Sequence, residues 1–400
     1  MKLPIYLDYQ ATTPVDPRVL DEMLPCFKED FGNASSRSHA YGWKAEEKVE
    51  KARHQVAELI HSQDAEIIFT SGATESNNLA LKGVAHRYQE RGRHIITCVT
   101  EHKAVLDPCR SLEREGFEVT YLRVNEQGHI DLDELKKGIR SDTLMISLMA
   151  ANNEIGVLHP IQEIGRFAKG KGIIFHVDGA QAVGKIPMDV EQMGIDLLSL
   201  SGHKIYGPKG VGALFLRSQN PRIKLDPILE GGGHERGLRP GTLNVPGIVG
   251  LGKACELALQ EMPEESQRIR WLRDLLCQGL ISELEGVRIN GDFEKRLPHN
   301  INMSFAHVEG ESLMMSLQHE AALSSGAACM SANIEPSYVL KALGVSEDLA
   351  DTSIRFGLGR FTTEEEIRFV LKRVVEVVKE LRAISPLYEM SKNTVRIKEQ

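Results

Sequence analysis

The sequence lacks several patterns that would assign it at once to a membrane, secreted or metal-binding class. No stretch approaches the roughly 18 uninterrupted apolar residues that a membrane helix needs. The first residues, MKLPIYLDYQATTP, contain a short apolar segment broken by Pro4 and Asp8, so we expect no signal peptide. The six cysteines form no CxxC pair, which indicates neither a zinc ribbon nor a disulfide scaffold. We therefore expect a soluble, cytoplasmic protein with no membrane partner.

The motifs of the common nucleotide and metal sites are missing as well. There is no GxGxxG, and GHKIYGPK lacks the G-K-[ST] ending of a P-loop. No HxxxH or similar ligand cluster suggests a catalytic metal. The net charge of -8 and the pI near 6.0 argue against a general nucleic-acid binder. We expect no nucleic-acid partner and no resident metal.

What the sequence does have is the length and apolar content for a substantial core. Its 400 residues, 42% of them hydrophobic, correspond to about two domains. Strand-like runs such as EIIFTSG, HIITCVT, TLMISLMA and GIIFHVD alternate with helical segments, which predicts a mostly parallel sheet with helices on both faces. We predict an α/β fold with a large cofactor-binding domain over residues 14–260. Residues 1–13 and 261–400 would form a smaller α+β domain that carries Cys329.

The loops that follow the predicted strands hold most of the chemically useful side chains. Sites in open α/β sheets lie beyond the carboxyl ends of the strands. Small residues and hydroxyls in TSGATESNN open a helix, where free N–H groups and the helix dipole favour an anion. The later strand ends contribute His102, the NNEIG loop, Asp178 with Gln181, and the group Ser201, His203 and Lys204. Each feature alone has an ordinary structural interpretation, such as a helix cap.

Taken together, these residues suit one ligand, pyridoxal 5'-phosphate. Its phosphate matches the helix start, and a carboxylate such as Asp178 would keep the pyridine nitrogen protonated. A lysine, Lys204 in SGHKIYGPKGVG, would hold the aldehyde as a Schiff base. The set of strand-end residues therefore predicts a pyridoxal-phosphate enzyme.

The chain resembles the cysteine desulfurases of the IscS/NifS group, within the fold-type-I pyridoxal-phosphate enzymes. The resemblance lies in motifs that follow in the family order from the start of the chain to about residue 385. They are YLDYQATTP, FGNASSRSHAYG, FTSGATESNNLA, TEHKAVL, NNEIG, HVDGAQAVGK, SGHKIYGPKGVGAL, GGGHERGLRPGT, SSGAACMSANIEPSYVL and SIRFGLGRFTTEEEI. Jointly these motifs are specific, although any one of them alone is weak.

The resemblance implies a role for each cofactor residue. Lys204 would carry the cofactor, Asp178 would pair with its pyridine nitrogen and Gln181 with its ring hydroxyl. His102 would stack on the ring and take part in proton transfer. The implied phosphate ligands are Ala73, Thr74, Ser201 and His203 of one subunit, and Thr242 from the partner subunit of a homodimer.

The resemblance also implies the substrate site and the reaction. Asn153, which the resemblance also makes a cofactor-binding residue, would bind the carboxylate of L-cysteine together with Arg355. Cys329 would be the nucleophile that takes the sulfur as a persulfide, leaving L-alanine. The sulfur would supply iron–sulfur cluster assembly through a scaffold protein, with tRNA thiolation as another outlet. Cys329 could transiently ligate a cluster on such a partner.

The sequence leaves two alternatives open. A selenocysteine lyase or a related pyridoxal-phosphate aminotransferase would share most of the cofactor site. A non-catalytic iron–sulfur carrier using Cys329 belongs to another class, and it would need neither Lys204 nor Asp178. Many housekeeping members of the group end in an acidic–aromatic–histidine tail that helps dock the scaffold, whereas this sequence ends SPLYEMSKNTVRIKEQ. The sequence motifs therefore support desulfuration more strongly than they support docking of a scaffold protein.

Overall fold

A computed structural model describes residues 2–325, 336–386 and 388–389. Within these ranges the strands are β1 Ile5–Tyr6, β2 Ile67–Thr70, β3 His94–Cys98, β4 Glu118–Leu122, β5 Thr143–Met149, β6 Ile174–Asp178, β7 Leu197–Ser201, β8 Gly212–Leu216, β9 Val287–Ile289, β10 Asn300–Phe305, β11 Ala321–Ala322, β12 Ser324–Ser325 and β13 Ser353–Gly357.

The α-helices of the described residues alternate with these strands in the first two thirds of the chain. They are α1 Pro17–Met23, α2 Pro25–Lys28, α3 Ala40–Leu59, α4 Ala73–Tyr88, α5 Lys103–Arg114, α6 Leu132–Gly138, α7 Ile161–Lys171, α8 Val245–Glu283, α9 Gly310–Leu317, α10 Tyr338–Ala342, α11 Glu347–Asp351 and α12 Glu364–Ala383.

The large sheet has seven strands in the order β2-β8-β7-β6-β5-β3-β4. Strands β7, β6, β5, β3 and β4 pair in parallel, whereas β8 is antiparallel to both β7 and β2. The predicted mostly parallel sheet is therefore confirmed. Residues 202–211 join β7 to β8 without a crossover helix, and such a short connection fits an antiparallel neighbour.

Strand β5 shows why the strands of the large sheet have continuous apolar sequences. All seven of its residues are buried, because helices cover both faces of the sheet. Ile146 and Leu148 belong to the apolar cluster on one face, and Met145 belongs to the cluster on the other. This burial on both sides holds the strand ends in fixed positions, which matters for the loops that follow them.

A second, antiparallel sheet has the strand order β12-β13-β10-β9. An apolar cluster formed by this sheet also contains the apolar stripe of helix α12. Helix α12 begins with a capping box formed by Thr363 and Glu366. Helix α8 contributes residues both to an apolar cluster of the large sheet and to the cluster of the small sheet. Residue 260 lies inside this helix. The division into two domains, with its boundary at 260, stays a prediction.

Five cysteines are buried, which agrees with their interpretation as small apolar residues: Cys26, Cys98, Cys109, Cys255 and Cys277. Cys329 lies outside the described residues. In the part of the chain that the structure describes, no helix has the length and apolar character to span a membrane.

Candidate active site

A cavity of about 570 Å³ opens where the parallel strands of the large sheet end. Its walls come from the loops after β2, β3, β5, β6 and β7, together with residues near the start of the chain. All the predicted cofactor residues except Thr242 line it: Ala73, Thr74, His102, Asn153, Asp178, Gln181, Ser201, His203 and Lys204. The structure therefore brings these nine residues together, while their roles stay predictions.

One end of the cavity is the start of helix α4. Gly72 precedes the helix with a φ of 148°, and no side chain of the described residues caps it. A Cβ on Gly212 of β8 would lie 2.6 Å from the Gly72 Cα and even closer to the Leu200 carbonyl oxygen. Glycine at 212 therefore allows the helix start to pack against β8, with uncapped N–H groups directed at the cavity.

The cavity wall also holds the carboxylate of Asp178, at the end of β6. Its Oδ2 accepts a hydrogen bond of 2.7 Å from Asn77 Nδ2, and its Oδ1 accepts one of 2.9 Å from the Ala180 backbone N–H. Asn77 lies on the buried face of α4, one turn after the helix start. The same helix thus presents its N–H groups to the cavity and fixes the carboxylate of Asp178.

Lys204 closes the short 3-10 turn Gly202–Lys204 that follows β7. Its Nζ donates hydrogen bonds to the backbone carbonyls of Gln10 and Ala11. Burial, together with the positive charge of Arg355, lowers the pKa of Lys204 to about 8. An amine with this pKa is partly neutral near physiological pH, as a nucleophile or general base must be.

His102 caps helix α5: its Nδ1 accepts a hydrogen bond of 3.1 Å from the Ala104 backbone N–H. The neutral ring therefore carries its proton on Nε2. Desolvation lowers the pKa of His102, against the attraction of Asp178. The neighbouring Glu101 is fully buried, its Oε1 accepts from the Met149 backbone N–H at 2.8 Å, and burial raises its pKa well above the usual range.

Arg355 lies on β13 of the small sheet, next to the cavity but outside its lining. Its guanidinium donates to the Asn153 carbonyl at 2.9 Å and forms an ion pair of 2.7 Å with Asp8. Among the described residues, the buried Nε of Arg355 and the buried Oδ1 of Asn153 have no hydrogen-bond partner. Both residues thus retain polar atoms that a bound group could engage.

The described cavity lining does not include every other predicted residue. Thr242 is exposed and lies outside the lining, which leaves its predicted contribution to the partner subunit's site untested. Cys329, the predicted nucleophile, lies outside the described residues.

The sequence interpretation missed two residues that organise the site. Gln10 is 1% exposed, its carbonyl accepts from both Lys204 and Gln181, and its side chain contacts Asn153 and Asn300. Asn77 fixes Asp178, as described above. For Asn77 a signal existed, because it stands one turn after the predicted anion site on a helix packed against the strand ends. For Gln10 the local sequence offered none.

Comparisons with known proteins agree with this geometry. The family model Aminotransferase class-V matches residues 5–370. A curated relative, "Cysteine desulfurase IscS" of Anaeromyxobacter dehalogenans (strain 2CP-C), is 59% identical over 395 residues, which cover 99% of this chain and 97% of that protein.

Two solved structures are similar over most of the chain. One, "NIFS-LIKE PROTEIN", has a TM-score of 0.87 at 40% identity and covers 95% of this chain and 100% of that one. The other, "SspA in complex with cysteine", has a TM-score of 0.79 at 38% identity and covers 90% of this chain and 100% of that one.

The chain belongs to the aminotransferase class-V family and has the fold-type-I architecture of pyridoxal-phosphate enzymes. Its activity is that of a cysteine desulfurase, which mobilises sulfur from cysteine. The resemblance found in the sequence motifs is thereby confirmed. Members of the family depend on pyridoxal phosphate in general.

Proposed function

We propose that the cavity binds pyridoxal 5'-phosphate and that Lys204 is its covalent anchor. The observation that carries this proposal is that the cavity lined by Lys204 also holds an uncapped helix start and the Asp178 carboxylate. These three groups match an aldehyde, a phosphate and a pyridine nitrogen. When bound, the cofactor supplies an electron-accepting ring that stabilises negative charge on the carbon next to the substrate amine.

Each residue then has a task that its environment supports. Ala73, Thr74, Ser201 and His203 hold the phosphate, and the pKa of His203, lowered to about 4 by burial, makes it a neutral ligand. Asp178 holds the pyridine nitrogen and Gln181 the ring hydroxyl. Lys204 Nζ removes the proton from the substrate α-carbon, and its lowered pKa makes the neutral amine available.

The substrate is L-cysteine, whose carboxylate is held by Asn153 and Arg355. The similar protein solved in complex with cysteine supports L-cysteine as the substrate. The Cys329 thiolate attacks the substrate sulfur, so that an S–S bond forms and the substrate Cβ–S bond breaks. The bonding electron pair stays with the carbon, which takes up a proton and leaves as L-alanine. The enzyme keeps the sulfur as a persulfide on Cys329.

Lys204→Ala tests the anchor, with Lys209→Ala as the matched control because Lys209 is a second, exposed lysine of the same lining. We expect Lys204→Ala to lose the visible absorption of the lysine-bound cofactor and to lower turnover by at least about a hundredfold. Borohydride reduction of the wild type should fix the cofactor on the peptide that contains Lys204. Turnover of Lys204→Ala near the wild-type rate would refute the assignment.

Cys329→Ser tests the second half of the reaction, with Cys26→Ala as a control at a buried thiol. The variant should still bind L-cysteine and change the cofactor spectrum, yet form no persulfide and almost no alanine. Alanine production at the wild-type rate would show that Cys329 is not the nucleophile.

We propose further that the enzyme is a cytoplasmic homodimer and that its sulfur serves iron–sulfur cluster assembly. The similarity to IscS proteins at 59% identity supports this outlet. Transfer of radiolabelled persulfide sulfur to purified acceptors tests it. A scaffold protein should become labelled, whereas labelling of a tRNA-thiolation carrier alone would assign the other outlet.

A further inference from the structure

Two residues at the start of helix α10 contact two of the loops that carry predicted active-site side chains. The Tyr338 hydroxyl donates a hydrogen bond of 2.6 Å to the carbonyl of Glu101, the residue before His102. The Ser337 hydroxyl donates to the carboxylate of Glu154, the residue after Asn153. Two neighbouring residues of one segment therefore hold the loops after β3 and β5 at the same time.

Apolar packing reinforces these two hydrogen bonds. Val339 and Leu340 of α10 are fully buried in one cluster with Ile155 and Val157, which belong to the loop after β5. Burial also raises the pKa of Tyr338, so its hydroxyl stays protonated and can donate at any physiological pH. The start of α10 is thus fixed to the strand ends by side chains on two sides.

The loop after β5 is in turn connected to the small sheet. The Glu154 carbonyl accepts hydrogen bonds from Asn300 at 3.0 Å and from Asn302 at 3.3 Å, both on β10. The preceding carbonyl, that of Asn153, accepts from Arg355. The start of α10 therefore packs against the loop after β5. That loop lines the cavity and also contacts the small sheet, which contains Arg355.

We propose that Ser337 and Tyr338 are positioning residues for sulfur transfer, which hold the chain a few residues after Cys329 against the His102 and Asn153 loops. Cys329 lies eight residues before Ser337 in the sequence. A fixed point at that separation restricts the volume the thiol can occupy and raises its effective concentration at the substrate sulfur. The proposal rests on the proposed function, because it takes Cys329 as the nucleophile.

Tyr338→Phe is the main test, because it removes one hydroxyl and keeps the ring. In the holoenzyme, single-turnover formation of the Cys329 persulfide should slow about three- to tenfold, the loss expected for one hydrogen bond. The spectral change on adding L-cysteine should keep its amplitude and its apparent Kd, since the cofactor site itself is intact. Tyr121→Phe is the matched control. Tyr121 lies on the edge strand β4, and its hydroxyl also makes one hydrogen bond, to Glu113.

Glu154 provides the second test through a conservative pair. Glu154→Gln keeps an oxygen that accepts from Ser337 and should retain most of the persulfide rate. Glu154→Ala removes the acceptor and should slow persulfide formation at least as much as Tyr338→Phe does. A general loss of folding would lower cofactor content and the unfolding temperature in both variants, so these are measured alongside.

The outcomes separate the two proposals. If wild-type enzyme forms no persulfide on Cys329, the proposed function fails, whatever the variants do. If wild type forms it and Tyr338→Phe and Glu154→Ala do so at the same rate, the positioning role is refuted. An equal loss in the spectral step and in persulfide formation would also refute it, because that pattern indicates damage to the cofactor site.

Discussion

At the scale of single residues, the amine of Lys204 is held in an environment that disfavours its charge. It donates to the backbone carbonyls of Gln10 and Ala11, but burial and the charge of Arg355 lower its pKa from 10.5 to about 8. Asp8 and Asp178 oppose this shift without cancelling it. Such a lysine costs stability in the free protein and is useful only if its neutral form reacts.

The stability of the cofactor-free enzyme should therefore depend on pH through Lys204. Below pH 8 the lysine is charged in both states, and the cost of burying its charge is fully present. Between about pH 8 and 10.5 the folded form loses the proton while the unfolded form keeps it, so the free energy of unfolding rises with pH. Relative to Lys204→Met, the wild-type apoenzyme should gain about 2 kcal/mol between pH 7.5 and 10.

Denaturant unfolding of the two apoenzymes at a series of pH values measures this difference. Lys209→Met serves as the control, because Lys209 is exposed and should give a curve parallel to that of the wild type. Parallel curves for wild type and Lys204→Met would show that the environment of Lys204 does not shift its pKa.

Asn77 offers a second test at this scale, since it donates to Asp178 at 2.7 Å inside the protein. Asn77→Ala should leave the carboxylate with one partner fewer and weaken its hold on the cofactor. We expect turnover to fall about tenfold or more, the usual cost of a hydrogen bond to a charged group. Asn78→Ala is the control, because Asn78 bonds only the Thr74 carbonyl of its own helix in the described residues. Equal activity of the two variants would show that Asn77 has no role in the active site.

The sequence predicted the side chains at the strand ends but not the residues that hold them. His102, Asp178 and Lys204 follow strands directly, so their position at one edge of the sheet follows from the βα alternation alone. Gln10 lies near the start of the chain but contacts residues of the cavity that are far from it in sequence. No local sequence pattern predicts such contacts. Its contacts to residues 153, 181 and 300 arise only when both sheets are in place.

At the scale of elements, the start of α4 depends on how closely β8 can approach it. The Gly212 position has no space for a Cβ, because the Gly72 Cα lies 2.6 Å from where that atom would be. Gly212→Ala should therefore push β8 and the helix start apart and destabilise the fold by about 1–3 kcal/mol. Because the shift occurs at the anion end of the cavity, cofactor affinity should fall as well.

Gly170→Ala is the matched control for this substitution. Gly170 lies in helix α7, and a Cβ there would meet no atom within 4 Å. The change should stabilise the helix by about 0.5–1 kcal/mol. Thermal unfolding and cofactor titration compare the two variants, and unchanged cofactor affinity in Gly212→Ala would contradict the close-approach argument.

The order of elements was predictable from the sequence, whereas one strand direction was not. The alternation of apolar runs and helical segments predicts strands such as β2, β3, β5 and β6 and the mostly parallel sheet. The antiparallel direction of β8 follows from the short connection after Lys204, which must turn back beside β7. Direction is a property of connections, and the local apolar pattern of a strand does not contain it.

At the scale of the whole molecule, the cavity of one chain accounts for nine of the predicted cofactor residues but leaves Thr242 outside. Thr242 is exposed, in the segment between the turn His234–Gly237 and helix α8. A hydroxyl and a backbone N–H at this position could serve the phosphate of a second subunit. The homodimer predicted from the family resemblance would then be required for a complete site.

Mixed dimers decide whether Thr242 acts across the interface. One subunit carries Lys204→Ala, and the other carries Thr242→Asp, which places a negative charge where the phosphate would bind. If Thr242 serves the partner's cavity, the mixed dimer has one doubly defective site and one intact site. Its activity should then rise to about half that of the wild type, well above either parent, because sites in a dimer act independently to a first approximation. Differently tagged subunits allow the mixed species to be purified and assayed alone.

The control pair is Lys204→Ala with Asp178→Asn, two residues that line the same cavity within one chain. Every site of that mixed dimer keeps one defect, so subunit mixing alone should restore nothing. If the Thr242 pair also restores nothing in purified mixed dimers, Thr242 acts within its own subunit or not at all, and the shared site is wrong. Recovery in the Thr242 pair alone would establish that a single chain cannot complete its own phosphate site.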